Sequence, residues 1–155
     1  MVILPGTAAS AVAPSLLWAG ARDLAVHCLV QSTTTPNAAA FERALCNRVR
    51  DLASRRTRMP VKIVEAGDPA FIRSDTVLLL VHASVERAAA GHTIAFVIRP
   101  FRPSGGDAEV YFGAAPKALL AQAGLSGPAL DTQIRDALSE ILPATNSASG
   151  APRRL

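Results

Sequence analysis

The chain is poor in the residues that announce a particular chemistry. Its two cysteines, Cys28 and Cys46, allow one disulfide and no metal cage, because four-ligand zinc sites show Cys or His pairs a few residues apart. Cys28 adjoins His27, but neighbours on a strand point to opposite faces and make no ligand pair. Aromatic residues are 5% of the total, with one Trp and one Tyr, which leaves little with which a sheet stacks bases. No uninterrupted apolar run reaches the roughly 18 residues of a membrane-spanning helix. Ser104-Gly-Gly is neither a phosphate loop nor a nucleophile elbow, since no Lys-Ser/Thr follows it and no Gly-x-Ser-x-Gly occurs. No internal repeat is visible, and residues 1–21 carry no charge at all before Arg22.

What is present describes a folded domain. Half of the 155 residues are apolar and 18% are charged, a balance that suits one packed domain and not a disordered chain. The net charge is +4, and all but two of the sixteen basic residues are arginine. That balance permits contact with nucleic acid or anionic surfaces, and a genomic bias toward Arg and Ala produces it equally.

Residues 1–21 form an apolar leader distinct from the body at 22–143. The stretch 10–18 resembles the apolar part of an export signal, and Ala19-Gly20-Ala21 is a small-x-small cleavage pattern. Against a signal peptide stand Pro5, Pro14 and the lack of Lys or Arg near Met1. The alternative is a disordered leader or a short segment packed on the domain.

The most apolar short run, 76–84, reads as a central strand. Residues 24–30 make the first strand, and Phe41, Leu45, Val49 and Leu52 recur at helical spacing in a helix near 37–56. Short strands follow at 61–65 and, after the central strand and a connection at 86–91, at 92–99. A hairpin turn at 103–107 returns through 109–112. A short helix is expected at 115–123, starting at Pro116. A clearer one follows Pro128, with Leu130, Ile134, Ala137, Leu138 and Ile141 in one stripe. Residues 144–155 read as a disordered tail.

The expected fold is an α+β two-layer sandwich in the order β-α-β-β-β-β-α(-α), with a mostly antiparallel sheet and helices on one face. Over residues 24–142 this order resembles that of small bacterial envelope domains, including lipopolysaccharide-assembly lipoproteins and the amino-terminal domain of TolB-like proteins. The resemblance lies in element order, and no function follows from it.

Alternation splits each strand into two sets. Leu24, Val26, Cys28, Val30, Val61, Ile63, Val77, Leu79, Val81, Ile94, Phe96, Ile98, Val110 and Phe112 should face the helices. The opposite set has an apolar middle and polar ends, and His27, Leu29, Leu78, Leu80, His82, Val97, Arg99 and Tyr111 make it a candidate interaction face. Such a face needs cover, from a partner, a second copy, a ligand, the leader or the tail. Cys28 falls on the helix side, and Cys46 lies at a similar height on a helix returning over it. A disulfide between them is one reading, and two buried free thiols the other.

The three histidines, His27, His82 and His92, are most simply structural, and His27 with His82 lacks a third metal ligand. Glu65, Asp68 and Asp75 surround one turn, which explains them without a catalytic carboxylate pair. Between Arg43 and Lys62 lie seven basic residues against Glu42 and Asp51. Arg55, Arg56 and Arg58 there are candidate contacts for phosphate groups of RNA or lipid. No catalytic, cofactor or metal set emerges. The expectation is a non-enzymatic periplasmic or secreted envelope domain that binds protein, or lipid, through the open sheet face, with homo-oligomerisation as one form of it. The alternatives are a cytoplasmic nucleic-acid-binding module using the basic helix, and a small enzyme.

Overall fold

The valine- and leucine-rich run beginning at Thr76 forms the longest strand of the sheet. The computed structural model describes residues 16–103, 113–121 and 127–143. The elements are β1 (Asp23–Gln31), α1 (Ala38–Ser54), β2 (Val61–Ile63), a 3-10 turn (Pro69–Ile72), β3 (Thr76–Ala88), β4 (Gly91–Phe101), β5 (Lys117–Ala121) and α2 (Pro128–Ile141). They build an α+β two-layer sandwich whose sheet has five strands in the order β2-β1-β3-β4-β5.

The sheet is mixed where a mostly antiparallel one was expected. β1 runs parallel to both β2 and β3, while β3–β4 and β4–β5 are antiparallel. Parallel neighbours need a long crossover to bring the chain back to the starting edge. The first crossover is α1, over one face. The second is the Val64-to-Asp75 connection with its 3-10 turn, over the other.

The main core lies between the sheet and the helices, as alternation requires. Leu24, Val26, Val77, Leu79, Val81, Ile94 and Ile98 are buried against Phe41, Leu45 and Val49 of α1 and Leu130, Ile134 and Leu138 of α2. At about 1.5–3 kcal/mol per fully buried large apolar side chain, this layer supplies most of the drive to fold. Arg48 bonds Asp131 at 2.7 Å and ties α1 to the first turn of α2. With both side chains about a third exposed, such a pair contributes about 0–1 kcal/mol.

Residues 117–121 form an edge strand and not the expected helix. Lys, Ala and Leu favour helix locally, but β4 offers an open edge, and β5 pairs along it from Phe96↔Lys117 to His92↔Ala121. Leu119 and Ala121 then pack on the main core. Lys117 pairs with Glu140 of α2, whose other oxygen accepts the Ala115 N–H at 2.7 Å. The central strand is longer than expected and reaches Ala88, where β4 begins after a tight turn at Gly91 with φ +137°. The expected strand at 109–112, Tyr111 within it, and the tail at 144–155 lie outside the described residues.

The segment before β1 packs against the domain from Leu16 onward. Leu17 is buried in the main core and Trp18 packs against it. Arg102 clamps this segment by donating to the carbonyls of Leu16, Leu17 and Ala19 and, through Nε at 2.6 Å, to that of Ser74.

Candidate interaction face

The second face of the sheet is laid out in rows by the strand register. Ala25, Leu78 and Phe101 are opposite one another; His27, Leu80 and Arg99 form the next row; Leu29, His82 and Val97 the third. Gln31, Ser84, Ala95 and Ala118 follow, then Glu86, Thr93 and Leu120.

Ala25 and Leu78 of the first row are covered from within, while Phe101 on β4 stays 40% exposed. The 3-10 turn lies over the covered pair, and Ala25, Leu78, Val64 and Ala70 form a small second core with Phe71 and Leu80 half-buried beside it. Asp68 caps this turn by accepting the Ala70 N–H at 2.7 Å. His27 contacts the edge of Phe71 with ring centroids 5.1 Å apart and planes at 79°. Its Nδ1 donates to the Val64 carbonyl at 3.0 Å, which fixes the proton on that nitrogen. Leu78, expected on an interaction face, is 0% exposed, so no partner reaches it. The physical reason is the parallel crossover: a chain returning from the end of β2 to the start of β3 must cross this face.

The second row is half covered, and the rows from Leu29 onward are open. Leu29 is 47% and Leu120 48% exposed. Leu29, Gln31, His82, Ser84, Ala95 and Val97 line a groove of about 470 Å³, closed at one side by Pro116. Its floor is apolar, with His82 and Arg99 exposed nearby. Leu120 was missed because β5 was read as helix; the paired leucines at 119 and 120 suit a strand at least as well.

Beyond the groove, Glu86 holds the loop after β1. Its carboxylate accepts from the Thr34 hydroxyl at 2.6 Å and from the Thr33 N–H and hydroxyl, each at 3.0 Å. These bonds, the Thr34 hydroxyl first, lower its pKa below the ordinary glutamate range. The hydrogen bond from Arg73 likewise depresses Asp75, and that from Lys117 depresses Glu140.

The other residues of chemical interest serve the fold. Cys28 and Cys46 form a disulfide with Cα atoms 5.8 Å apart, and each is 5% exposed. The bond lines a cleft of about 210 Å³ with Glu42, Arg43, Asn47 and Glu65. Glu42 is committed there to the Val30 N–H at 2.8 Å, on the flank of β1 that β2 leaves unpaired. Asp68 caps its turn and Asp75 binds Arg73, so Glu65, Asp68 and Asp75 form no carboxylate pair. His92 sits at the β3–β4 turn, far along the strand from His82. Among the described residues no group of three or more His, Cys, Asp or Glu is placed to hold a metal. Arg55, Arg56 and Arg58 are exposed beyond the end of α1.

These features define a class, a disulfide-bonded α+β sandwich with one sheet face half uncovered. No protein-family model and no curated protein matches the chain. Two solved PelC dodecamers from Paraburkholderia phytofirmans are similar to it. One is 15% identical and covers 79% of this chain and 89% of that chain at a TM-score of 0.47. The other is 17% identical and covers 80% and 91% at 0.45. Likeness of this degree assigns no function.

Proposed function

We propose that the chain is a small non-enzymatic domain of an oxidising, extracytoplasmic compartment that binds a protein partner, a second copy included, through the uncovered half of its sheet. The carrying observation is the apolar groove at Leu29, Ala95 and Val97, on a face whose other half the fold has already covered. Exposed contiguous apolar surface of this kind marks contact sites. The Cys28–Cys46 bond supports the compartment, since disulfides persist where thiols are not kept reduced.

Site-specific photo-crosslinking tests the reading. A crosslinker at Val97 or Leu120 should form a defined adduct in cells, and one at Arg135 on α2 should not. Equal labelling from all three positions, or none from the sheet face, would remove the proposal. A thiol count on unfolded, non-reduced protein from the same cells should find none free.

A further inference from the structure

Five large apolar side chains are exposed among the described residues, and they fall into two groups. Leu29 lines the groove, and Leu120 lies on the same sheet face, opposite Thr93. Leu16 at 69%, Ile72 at 83% and Phe101 at 40% exposure form the second group. Strand direction places these three at one end of the sandwich, where β1, β2 and β3 begin and β4 ends. Arg102 joins them: it follows Phe101 and donates to the carbonyls of Leu16 and of Ser74, two residues beyond Ile72.

The same end is strongly basic. α1 runs back along β1 to reach β2, so its exposed C-terminal arginines, Arg55, Arg56 and Arg58, lie here with Arg22, Arg73 and Arg102. The acids between the starts of β1 and β3 are Asp23 and Asp75, and both are bound to Arg73, at 3.2 and 2.9 Å. Arg55, Arg56 and Arg58 make no salt bridge with any described residue.

Protruding apolar tips at an end that also carries the unbridged Arg55, Arg56 and Arg58 are complementary to an anionic lipid surface. Headgroups meet the arginines while the tips enter the acyl boundary. RNA would use the charge but has no use for Leu16 and Ile72, and the single exposed ring of Phe101 falls short of the stacking platform it favours. We infer that this end of the domain docks on an anionic membrane surface, leaving the sheet-face groove, roughly perpendicular to it, free for a protein.

Vesicle sedimentation of the full chain tests this. Binding to an equal mixture of phosphatidylcholine and phosphatidylglycerol should greatly exceed binding to phosphatidylcholine alone, and should weaken at high salt. Reversing Arg55, Arg56 and Arg58 to Glu should lower the partition coefficient by at least about a hundredfold, the loss expected from removing three basic charges alone. Ile72→Ser, at a side chain too exposed to matter for folding, should weaken the part of binding that survives salt. Leu29→Thr in the groove should leave vesicle binding unchanged, which separates this inference from the proposed function. Equal binding to both vesicles, no binding, indifference to the arginine reversals, or tighter binding to single-stranded RNA than to the anionic vesicles would each overturn it.

Discussion

Replacing Leu78 by alanine tests whether the second sheet face is covered from within. Leu78 is 0% exposed, enclosed by Ala25, Val64 and Ala70 under the 3-10 turn. A buried Leu→Ala change loses transfer free energy and leaves a cavity, for about 2–5 kcal/mol in all. The cluster is small and the turn above it can settle, so about 3 kcal/mol is expected. At about 2–4 °C per kcal/mol for a chain of this length, the midpoint should fall by roughly 6–12 °C. Leu29→Ala is the control on the same face. Leu29 is already 47% exposed, so its truncation forfeits about half the transfer term and no cavity term, about 1 kcal/mol. Thermal unfolding followed by circular dichroism, on non-reduced protein, reads both. Equal losses would refute the internal cover, as would a Leu78 variant that unfolds like the wild type. Ala70→Asp attacks the same cluster from above by burying a carboxylate, and should destabilise at least as much as Leu78→Ala.

The Cys28→Ser, Cys46→Ser double variant opens a link between residues 18 apart in sequence, and should lose about 3 kcal/mol in denaturant unfolding; an unchanged midpoint would mean that the bond does little to restrict the unfolded chain. Arg102→Ala should free the segment from Leu16 to Ala21, seen as faster amide exchange there, with the β3 and β4 amides unaffected. Folding lowers the pKa of Glu86 through its threonine bonds, so its contribution is full above the ordinary value near 4.5 and is lost as pH falls through the lower folded value. Asp75 and Glu140 act in the same sense. Stability measured against pH should therefore drop on the acid side, and Glu86→Gln should flatten part of that drop.

Much of the fold was legible in the chain because alternation and helical spacing report which side of an element is buried. Every described residue assigned to the helix-facing set is in, or packed against, the main core, and Cys28 and Cys46 meet where parity put them. Strand direction was not legible, because a period of two is the same for a parallel and an antiparallel strand. The available sign was the connection from Val64 to Asp75, too long for a hairpin and long enough for a crossover. Treating it as a simple turn left the second face bare and placed Leu78 on an interface. Lys117 to Ala121 was lost for another reason: helix propensity is a weak prior, and an unpaired neighbouring strand overrides it.

β3 shows why an apolar strand is a poor sign of a partner until its crossings are known. The strand starts at the arginine-rich end, passes beneath the 3-10 turn at Leu78, emerges at the half-buried Leu80 and reaches open surface at His82 and Ser84. Along one side of one strand the cover thus changes from complete to absent within two turns of the pleat. Leu78 and Leu29 have the same chemistry and share a face, yet one is core and the other is surface. What separates them is the crossover between parallel strands, which ends before it reaches the third row. On β1 and β3, exposed apolar surface of this face is therefore confined to the rows beyond that crossover, and a protein partner has to be sought there and not over β3 as a whole.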